Sequence, residues 1–279
     1  MLYLVATPIG NLTDITFRAI EVLKACDYIL CEDTRHSQIL LKTYEILKPL
    51  KSYHKFNEAS QAPLILKDLQ AGKQLAFISD AGTPGISDPG TALAQLCVKH
   101  DIPFTAIPGA CAAIQALVCS GLPTERFQFW GFLPKKDGAL KQDLQTILSY
   151  SGTTICYESP HRLLHVLQLI HSYDPLRDLV VGRELTKKFE ETRRGHAQAL
   201  IEYWETKTLK GEIVLLISPA SPQLLTSQWQ ELSPEEHVQT LQETYALSRQ
   251  EAIKMAAQLR GVSKRSIYQT IHQNPSISP

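Results

Sequence analysis

The sequence predicts an α/β fold made of two αβ domains and a small C-terminal helical module. Apolar runs of strand length alternate with segments of helical periodicity from residue 2 to about residue 115, and again from about residue 122 to residue 218. Three helix starts, each marked by a serine, follow a Ser- and Pro-rich stretch. A chain of 279 residues, 44% hydrophobic and 20% charged, is long and apolar enough for two such cores.

In the first set, strands are predicted at residues 2–6, 28–31, 75–78 and 104–107, with a third strand ending near His54. Apolar residues recur at helical spacing over residues 15–23, and Thr13 or Asp14 is expected to cap that helix. Ser60 is expected to cap a later helix, and residues 92–98 form another. Five βα units predict a largely parallel sheet covered by helices on both faces.

In the second set, strands are predicted at residues 127–132, 153–157, 179–182, 190–194 and 212–217. Ser159 followed by Pro160 predicts a helix start between two of them. The aromatic side chains of residues 127–132, Trp130 among them, are assigned to the core. These segments define a first domain at residues 1–115 and a second domain at residues 116–218.

The remaining chain reads as a linker at residues 219–232 and a helix-turn-helix-like tail at residues 233–279. Ser233 and Ser248 each precede a glutamate by three residues, which is the pattern of a capping box. Ser263 is expected to cap a third helix, after Gly261 ends the second. Three short helices of this size predict a helix-turn-helix module.

Composition excludes several classes of protein. The 28 basic and 28 acidic residues balance, so a uniformly basic nucleic-acid coat is excluded, although a local patch is not. Six scattered cysteines without a CxxC pair indicate unpaired thiols in a reducing compartment, with no metal site. No apolar stretch reaches the roughly 20 residues that span a bilayer. We therefore expect a cytoplasmic protein that makes no membrane contact.

The stretch from Ser79 to Gly90 is the most informative segment. It follows the apolar strand at residues 75–78 and precedes a predicted helix, so it lies where α/β folds place ligands. It contains two prolines and three glycines, and it exceeds the roughly 2–6 residues that such a connection needs. A ligand-binding loop is the functional interpretation, and a long turn at a sheet edge is the alternative.

Three further Gly- or Pro-containing loops follow or border predicted strands, at residues 6–11, 107–112 and 210–213. If three of the parallel strands end on one edge, these loops and the 79–90 loop converge on one cleft in which a flat ligand lies against the backbone. Dinucleotide-binding, P-loop, zinc-peptidase and α/β-hydrolase motifs are all missing from the sequence, which excludes the simplest forms of those activities.

Charged clusters occupy residues 32–35, 157–162 and 183–194. The first two follow predicted strands, a position that favours a site, whereas solvated ion pairs are the alternative for all three. Seven segments occur in order along the chain, at residues 4–12, 32–35, 79–90, 131–134, 158–163, 183–187 and 210–212. This series closely resembles the ribosomal RNA small subunit methyltransferase I family. That family lies within the tetrapyrrole-methylase-like superfamily of S-adenosylmethionine enzymes, and the resemblance covers nearly the full length.

The resemblance implies a fold in which S-adenosyl-L-methionine occupies a cleft between the two αβ domains, and a homodimeric assembly. It implies methylation of the ribose 2′-oxygen of a decoding-centre cytidine in the 16S rRNA of the small ribosomal subunit. The cofactor contacts carried over by motif are Pro8, Ile9, Asp80, Gly82, Thr83, Cys111, Ala112, Tyr157 and Ile213. Cys111 stands where a serine is common in the family.

A ribose hydroxyl must lose its proton during or after attack, so a nearby acceptor is expected, with Asp33 and Glu158 as the candidates. The expected RNA contacts are Arg35, Asn57, Arg162, Arg183 and Lys187. A further RNA contact is expected from the basic tail, whose cations are Lys254, Arg260, Lys264 and Arg265. Two other functions stay open: a small-molecule methylase of the tetrapyrrole type, and a non-enzymatic RNA-binding regulator that senses a nucleotide.

Overall fold

The computed structural model describes residues 1–220, 232–245 and 247–273. Its first sheet contains β1 (Leu2–Val5), β2 (Tyr28–Cys31), β3 (Leu50–Ser52), β4 (Leu75–Ile78) and β5 (Phe104–Ile107). All neighbours are parallel in the order β3-β2-β4-β1-β5. The connecting helices are α1 (Phe17–Ala25), α2 (Thr34–Thr43), α3 (Glu58–Gln70) and α4 (Thr91–Lys99). Because helices cover both faces, β2 and β4 are buried along their whole length, as predicted.

The second sheet contains β6 (Phe127–Phe132), β7 (Thr153–Glu158), β8 (Leu179–Arg183), β9 (Glu191–Gly195) and β10 (Ile213–Ile217). Its order is β6-β7-β10-β8-β9, and only the β6–β7 pair is parallel. The helices of this half are α5 (Ala112–Ser120), α6 (Asp137–Leu148), α7 (Pro160–Tyr173) and α8 (Ala197–Glu205). α5 packs on β7, β8, β9 and β10, so the chain passes to the second core where α5 begins.

The cap predicted for α1 is wrong. Asn11 accepts a hydrogen bond from the Thr13 backbone N–H at 3.2 Å and starts a single 3₁₀ turn, Leu12–Asp14, which takes Thr13 and Asp14 out of the helix. Thr16 is the N-cap of α1, and its Oγ1 accepts from the Ala19 backbone N–H at 3.1 Å. The helix therefore begins three residues later than Asp14.

Replacing Thr16 with alanine is expected to lower the free energy of unfolding by about 1 kcal/mol, because the helix loses its side-chain cap. Asp14→Ala, two residues upstream of the cap, is the matched control and is expected to leave stability nearly unchanged. Urea unfolding followed by circular dichroism measures both. Equal losses in the two variants would contradict the assignment of the cap.

The Ser60 cap is also wrong. α3 begins at Glu58, with Asn57 at its N-cap position, and the Ser60 hydroxyl donates to the Asn57 backbone carbonyl at 2.8 Å. The serine is thus inside the first turn of the helix. Ser159, in contrast, lies at the N-cap of α7 with Pro160 at the first helical position, as predicted.

The tail forms the three predicted helices, α9 (Pro234–Tyr245), α10 (Arg249–Leu259) and α11 (Lys264–Gln273). Both capping boxes are present: Ser233 and Glu236 exchange hydrogen bonds of 3.2 and 2.8 Å, and Ser248 and Glu251 do the same at 3.4 and 2.9 Å. The helices enclose an apolar core of their own. Most of the predicted linker, residues 221–231, lies outside the described residues.

The aromatic residues of β6 divide between core and surface. Trp130 packs against the second core and donates its indole N–H to Asp143 at 2.8 Å. Phe127 and Phe132 are 42% and 62% exposed, so the prediction that the aromatic residues of this strand are all core residues is wrong for them.

The six cysteines are unpaired, and four of them are buried. Within the described ranges, no helix is long and apolar enough to cross a membrane.

Candidate active site

A cleft of about 450 Å³ opens between the two sheets. All four Gly- and Pro-containing loops contribute to its lining, so their predicted convergence is confirmed. Representative lining residues, one or two from each loop, are Ile9, Asp80, Thr83, Ala112, Gly211 and Ile213. The second domain adds the end of β7 and the start of α7, including Tyr157, Glu158 and Ser159.

Hydrogen bonds fix the first-domain loops to one another. Thr7 and Gly82 exchange backbone hydrogen bonds of 2.9 and 3.1 Å, which join the loops after β1 and β4. The Thr83 hydroxyl donates to the Ala110 carbonyl at 3.0 Å and joins the loop after β5. Gly82 has a φ of +77°, a conformation that favours glycine. The floor of the cleft is therefore built from backbone held in place before any ligand binds.

A strained segment after β8 contributes Leu185 to the lining of the cleft. Glu184 and Thr186 have φ angles of 52° and 64°, which side-chain-bearing residues rarely adopt. The Lys187 ammonium donates to Glu184 at 2.9 Å and to Glu212 at 2.8 Å, and it holds the segment against the loop before β10. The Thr186 hydroxyl accepts from the Asn11 backbone N–H at 3.1 Å and joins the two domains. Strain kept in place by such contacts is typical of functional sites.

Five carboxyl groups line the cleft: Glu32, Asp80, Asp88, Glu158 and Glu212. Burial, followed by the charges of Glu32, Asp80 and Glu212, raises the pKa of Asp88 to about 6. Burial and the charge of Asp80 also raise the pKa of Glu32. Like charges so close together favour a cationic occupant, which would relieve their repulsion.

The Asp88 carboxyl makes the stability of the folded protein depend on pH. Because its pKa is about 6 in the folded protein against 3.8 unperturbed, the folded state holds this proton more tightly than the unfolded state does. The Asp88 carboxyl therefore lowers the free energy of unfolding progressively as pH rises from about 4 to 6. Above pH 6 this destabilisation is at its full size. Asp88→Asn is expected to raise the free energy of unfolding by about 2 kcal/mol at pH 7.5 and by little at pH 4, measured by urea unfolding. An equal gain at both pH values would contradict this account.

The comparisons with known proteins agree with this architecture. Residues 1–201 match the family model described as Tetrapyrrole (Corrin/Porphyrin) Methylases. The ribosomal RNA small subunit methyltransferase I of Halalkalibacterium halodurans is 43% identical over 274 residues, which cover 98% of this chain and 94% of that protein. The Bacillus subtilis protein of the same name is 40% identical over 275 residues, which cover 98% of this chain and 94% of that protein. The chain belongs to the ribosomal RNA small subunit methyltransferase I family.

A solved structure shares the fold at low identity. It is the uroporphyrin-III C-methyltransferase of Thermus thermophilus complexed with S-adenyl homocysteine, with a TM-score of 0.54 and 18% identity. The alignment covers 78% of this chain and 96% of that one. The ribosomal RNA methyltransferase fold is thus the tetrapyrrole-methylase fold, with two five-stranded sheets and additional C-terminal helices.

Most residues predicted to bind the cofactor lie together in this ribosomal RNA methyltransferase. Those lining the 450 Å³ cleft are Ile9, Asp80, Gly82, Thr83, Cys111, Ala112, Tyr157 and Ile213. Pro8 instead lines an adjoining cavity of about 360 Å³, which also includes Ile9 and Asp80. The assignment of all nine to the cofactor stays a prediction.

The two predicted proton acceptors have different surroundings. Asp33 caps α2 and lines neither cavity; its carboxylate binds the Arg35 guanidinium, which together with the Arg35 backbone N–H lowers its pKa to about 2. Glu158 lines the cleft and is 2% exposed. Its Oε1 accepts from the Ser159 backbone N–H at 2.7 Å, while its buried Oε2 has no partner within the described residues. Burial raises the pKa of Glu158, against the hydrogen bonds from Ser159 and the charge of Arg162.

Two of the residues predicted to contact RNA have guanidinium groups that are already engaged. Arg162 donates to the carbonyls of Leu133 and Pro134 at 3.0 and 2.5 Å and lies 3.4 Å from Glu158. Arg183 donates to the Lys210 carbonyl at 3.2 Å and pairs with Glu191 at 3.3 Å. Both hold elements of the second domain together, and neither lines a described cavity.

Asn57 and Lys187 are engaged as well, whereas Arg35 is open to solvent. Asn57 closes the turn before α3, accepting from the His54 backbone N–H at 2.9 Å and donating to the Ser52 carbonyl at 3.1 Å. Lys187 pairs with two glutamates, as described above, and lines the smaller cavity. The Arg35 side chain is 89% exposed despite its pairing with Asp33. A phosphate contact is therefore most accessible at Arg35.

Glu32, Asp88, Glu212 and Phe132 are among the cleft residues that sequence reasoning did not assign to the site. Each lies inside or beside a motif that was recognised, so proximity to the motif was the available signal. Choosing among neighbouring residues such as Glu32 and Asp33 required the backbone, because adjacent side chains at a strand end point in different directions.

Proposed function

We propose that this protein transfers a methyl group from S-adenosyl-L-methionine to the ribose 2′-oxygen of a cytidine in the 16S rRNA of the small ribosomal subunit. The observation that carries the proposal is the carboxylate-lined cleft built from the family's own motifs. Family membership supports an RNA substrate, and the shared fold with a structure complexed with S-adenyl homocysteine supports the cofactor.

The chemistry of the cleft fits this cofactor. S-adenosylmethionine supplies, when bound, a methyl group activated on a cationic sulfonium, and it carries an ammonium group as well. Asp80, Asp88 and Glu212 supply the opposing charge, while Ile9, Ala112 and other apolar lining residues suit the flat adenine. The orphaned Oε2 of Glu158 leaves a buried acceptor unsatisfied, which a hydrogen-bond donor in the cleft would relieve.

The same charges restrict how RNA approaches. Phosphates are repelled by the carboxylates, so the strand is expected to stay at the rim while a single nucleotide enters with its neutral sugar and base. Unpaired nucleotides are the ones that can be presented in this way. Arg35 and the tail cations Lys254, Lys264 and Arg265 are exposed and available to the strand, and such contacts make affinity depend on salt.

Glu158 is the better of the two proposed proton acceptors. Glu158 lines the cleft and one of its carboxyl oxygens has no partner within the described residues, and its raised pKa makes it a stronger base than an ordinary carboxylate. Asp33, with a pKa of about 2 and a position outside the cleft, is a weak base in the wrong place. The enzyme's own task is then to align the hydroxyl with the methyl donor and to receive its proton.

Tritium transfer tests this proposal. The protein is incubated with labelled S-adenosylmethionine in two parallel reactions. One reaction contains undermodified small ribosomal subunits, and the other contains a reduced porphyrin-type macrocycle. We expect acid-precipitable label in the RNA and none in the macrocycle. Label in the macrocycle alone would show a small-molecule methylase, and cofactor binding without transfer would favour a nucleotide-sensing regulator.

A cytoplasmic location and a homodimeric assembly belong to the same proposal. Both are supported by the family resemblance. Sedimentation equilibrium of the purified protein measures the oligomeric state directly, by comparing the observed mass with the 31.2 kDa of one chain.

A further inference from the structure

One aromatic ring in the cleft is used by none of the roles above. Phe132, at the carboxyl end of β6, lines the cleft and is 62% exposed. Leaving so much of an apolar ring in water forgoes the stabilisation that burial would give. The ring is part of the Gly131–Pro134 motif, and neither the cofactor nor the proton transfer accounts for it.

A β-bulge directs this ring into the cleft. The pairing of β6 with β7 shifts register between Phe129 and Gly131, so that Gly131 lies opposite Cys156 and Phe132 opposite Tyr157. Gly131 has a φ of +76°, which favours glycine. Because one extra residue moves the following side chains to the other face of a strand, the bulge sets where Phe132 points. Bulges beside active sites commonly have this effect.

One neighbouring ring contacts Phe132, and most of the Phe132 side chain stays exposed. Its ring meets Tyr157 edge to face, with centroids 5.6 Å apart and planes at 64°. Tyr157 in turn meets Phe129 at 5.0 Å and 72°. An aromatic ring anchored by such contacts loses little further freedom when a ligand stacks on it.

The exposed ring and the surrounding carboxylates suit a nucleobase. Proteins that recognise unpaired RNA stack its bases on aromatic side chains, and the neutral ring carries none of the repulsion that the carboxylates impose on phosphates. Phe132 shares the cleft with Glu158, the proposed proton acceptor, and with Asp88. We propose that Phe132 is the stacking platform that positions the base of the target nucleotide, extruded from the RNA; this rests on the methyl transfer proposed above.

Single-turnover methylation of undermodified small subunits tests the assignment. Phe132→Ala is expected to lower kcat/KM by roughly ten- to a hundredfold, the usual effect of removing one base–aromatic stack. Phe132→Tyr is expected to restore the rate and Phe132→Leu is not, because leucine keeps apolar bulk without a π face. Phe127→Ala, at the other end of the same strand and also exposed, is the matched control and is expected to match the wild type.

The dissociation constant for S-adenosylhomocysteine, measured by calorimetry, separates the alternatives. It is expected to be unchanged in Phe132→Ala. A parallel loss of cofactor affinity would place the Phe132 ring in the cofactor site. Full rescue of the rate by Phe132→Leu would show that the ring contributes only apolar packing. Either result overturns the assignment, and so does a wild-type kcat/KM in Phe132→Ala. Failure of the wild type to methylate RNA would instead refute the proposed function.

Discussion

Ala112→Trp is expected to weaken S-adenosylmethionine binding by at least about a hundredfold and to abolish methyl transfer with it. Ala112 is the first residue of α5 and lines the cleft between the two sheets. An indole at this position would fill space in the cleft proposed to hold the cofactor, and the loops around it are joined to one another by hydrogen bonds. Isothermal titration calorimetry with S-adenosylhomocysteine measures the effect.

Ala106→Trp provides the control for this substitution. Ala106 is an exposed residue of the edge strand β5 and lines neither described cavity, so the same indole is expected to leave binding unchanged. Thermal unfolding of both variants shows whether each is folded. Wild-type affinity in a folded Ala112→Trp protein would place the cofactor elsewhere.

Glu158→Gln is expected to lower the single-turnover rate of methyl transfer by about 10²–10⁴-fold, the usual range for removing a general base. Glutamine keeps an oxygen for the Ser159 backbone N–H, so the start of α7 is expected to stay in place. The substitution replaces the carboxylate of a residue that lines the cleft with a neutral amide. Rapid quench at saturating RNA and cofactor isolates this step from binding.

Asp33→Asn is the matched comparison. Asparagine caps helices as well as aspartate does, so α2 is expected to begin as before. Because the Asp33 carboxylate lines neither cavity, the single-turnover rate is expected to stay near that of the wild type. A large loss in Asp33→Asn with none in Glu158→Gln would reverse the assignment of the proton acceptor.

The sequence predicted the strands that are buried on both faces to within a residue of their ends. β2, β4 and β10 are continuous apolar runs, and the structure places them within a residue of the predicted ends. Helix caps were harder. Thr13, Asp14 and Thr16 all favour an N-cap, and only the 3₁₀ turn started by Asn11 decides among them.

The motifs located the cleft, but they could not assign a role to each residue in and around it. Arg162 and Arg183 stand in charged clusters that suit a phosphate contact, yet in the fold they bind backbone carbonyls and glutamates. Phe132 looked like its core neighbours until the bulge at Gly131 set its direction. Such choices depend on the local backbone conformation and on the neighbouring elements, which residue types alone do not reveal.

The charge distribution explains how a chain of zero net charge can act on RNA. Carboxylates concentrate in the cleft, whereas Arg35 and several tail cations lie at exposed positions. If the cofactor binds in the cleft as proposed, the carboxylates attract its positive charge and repel phosphate, and the outer cations remain available to the strand. Binding of the RNA is therefore expected to weaken with salt, while binding of the cofactor depends on the carboxylates.

The position of the transferred methyl group is the most direct test of this account. Undermodified small subunits are labelled with tritiated S-adenosylmethionine and the protein, and the RNA is then digested to nucleosides and separated. We expect the label in a 2′-O-methylated cytidine, and an alkali-resistant linkage at that position because the blocked hydroxyl cannot attack its phosphate. Label on a base, or on a nucleoside other than cytidine, would contradict the proposed reaction.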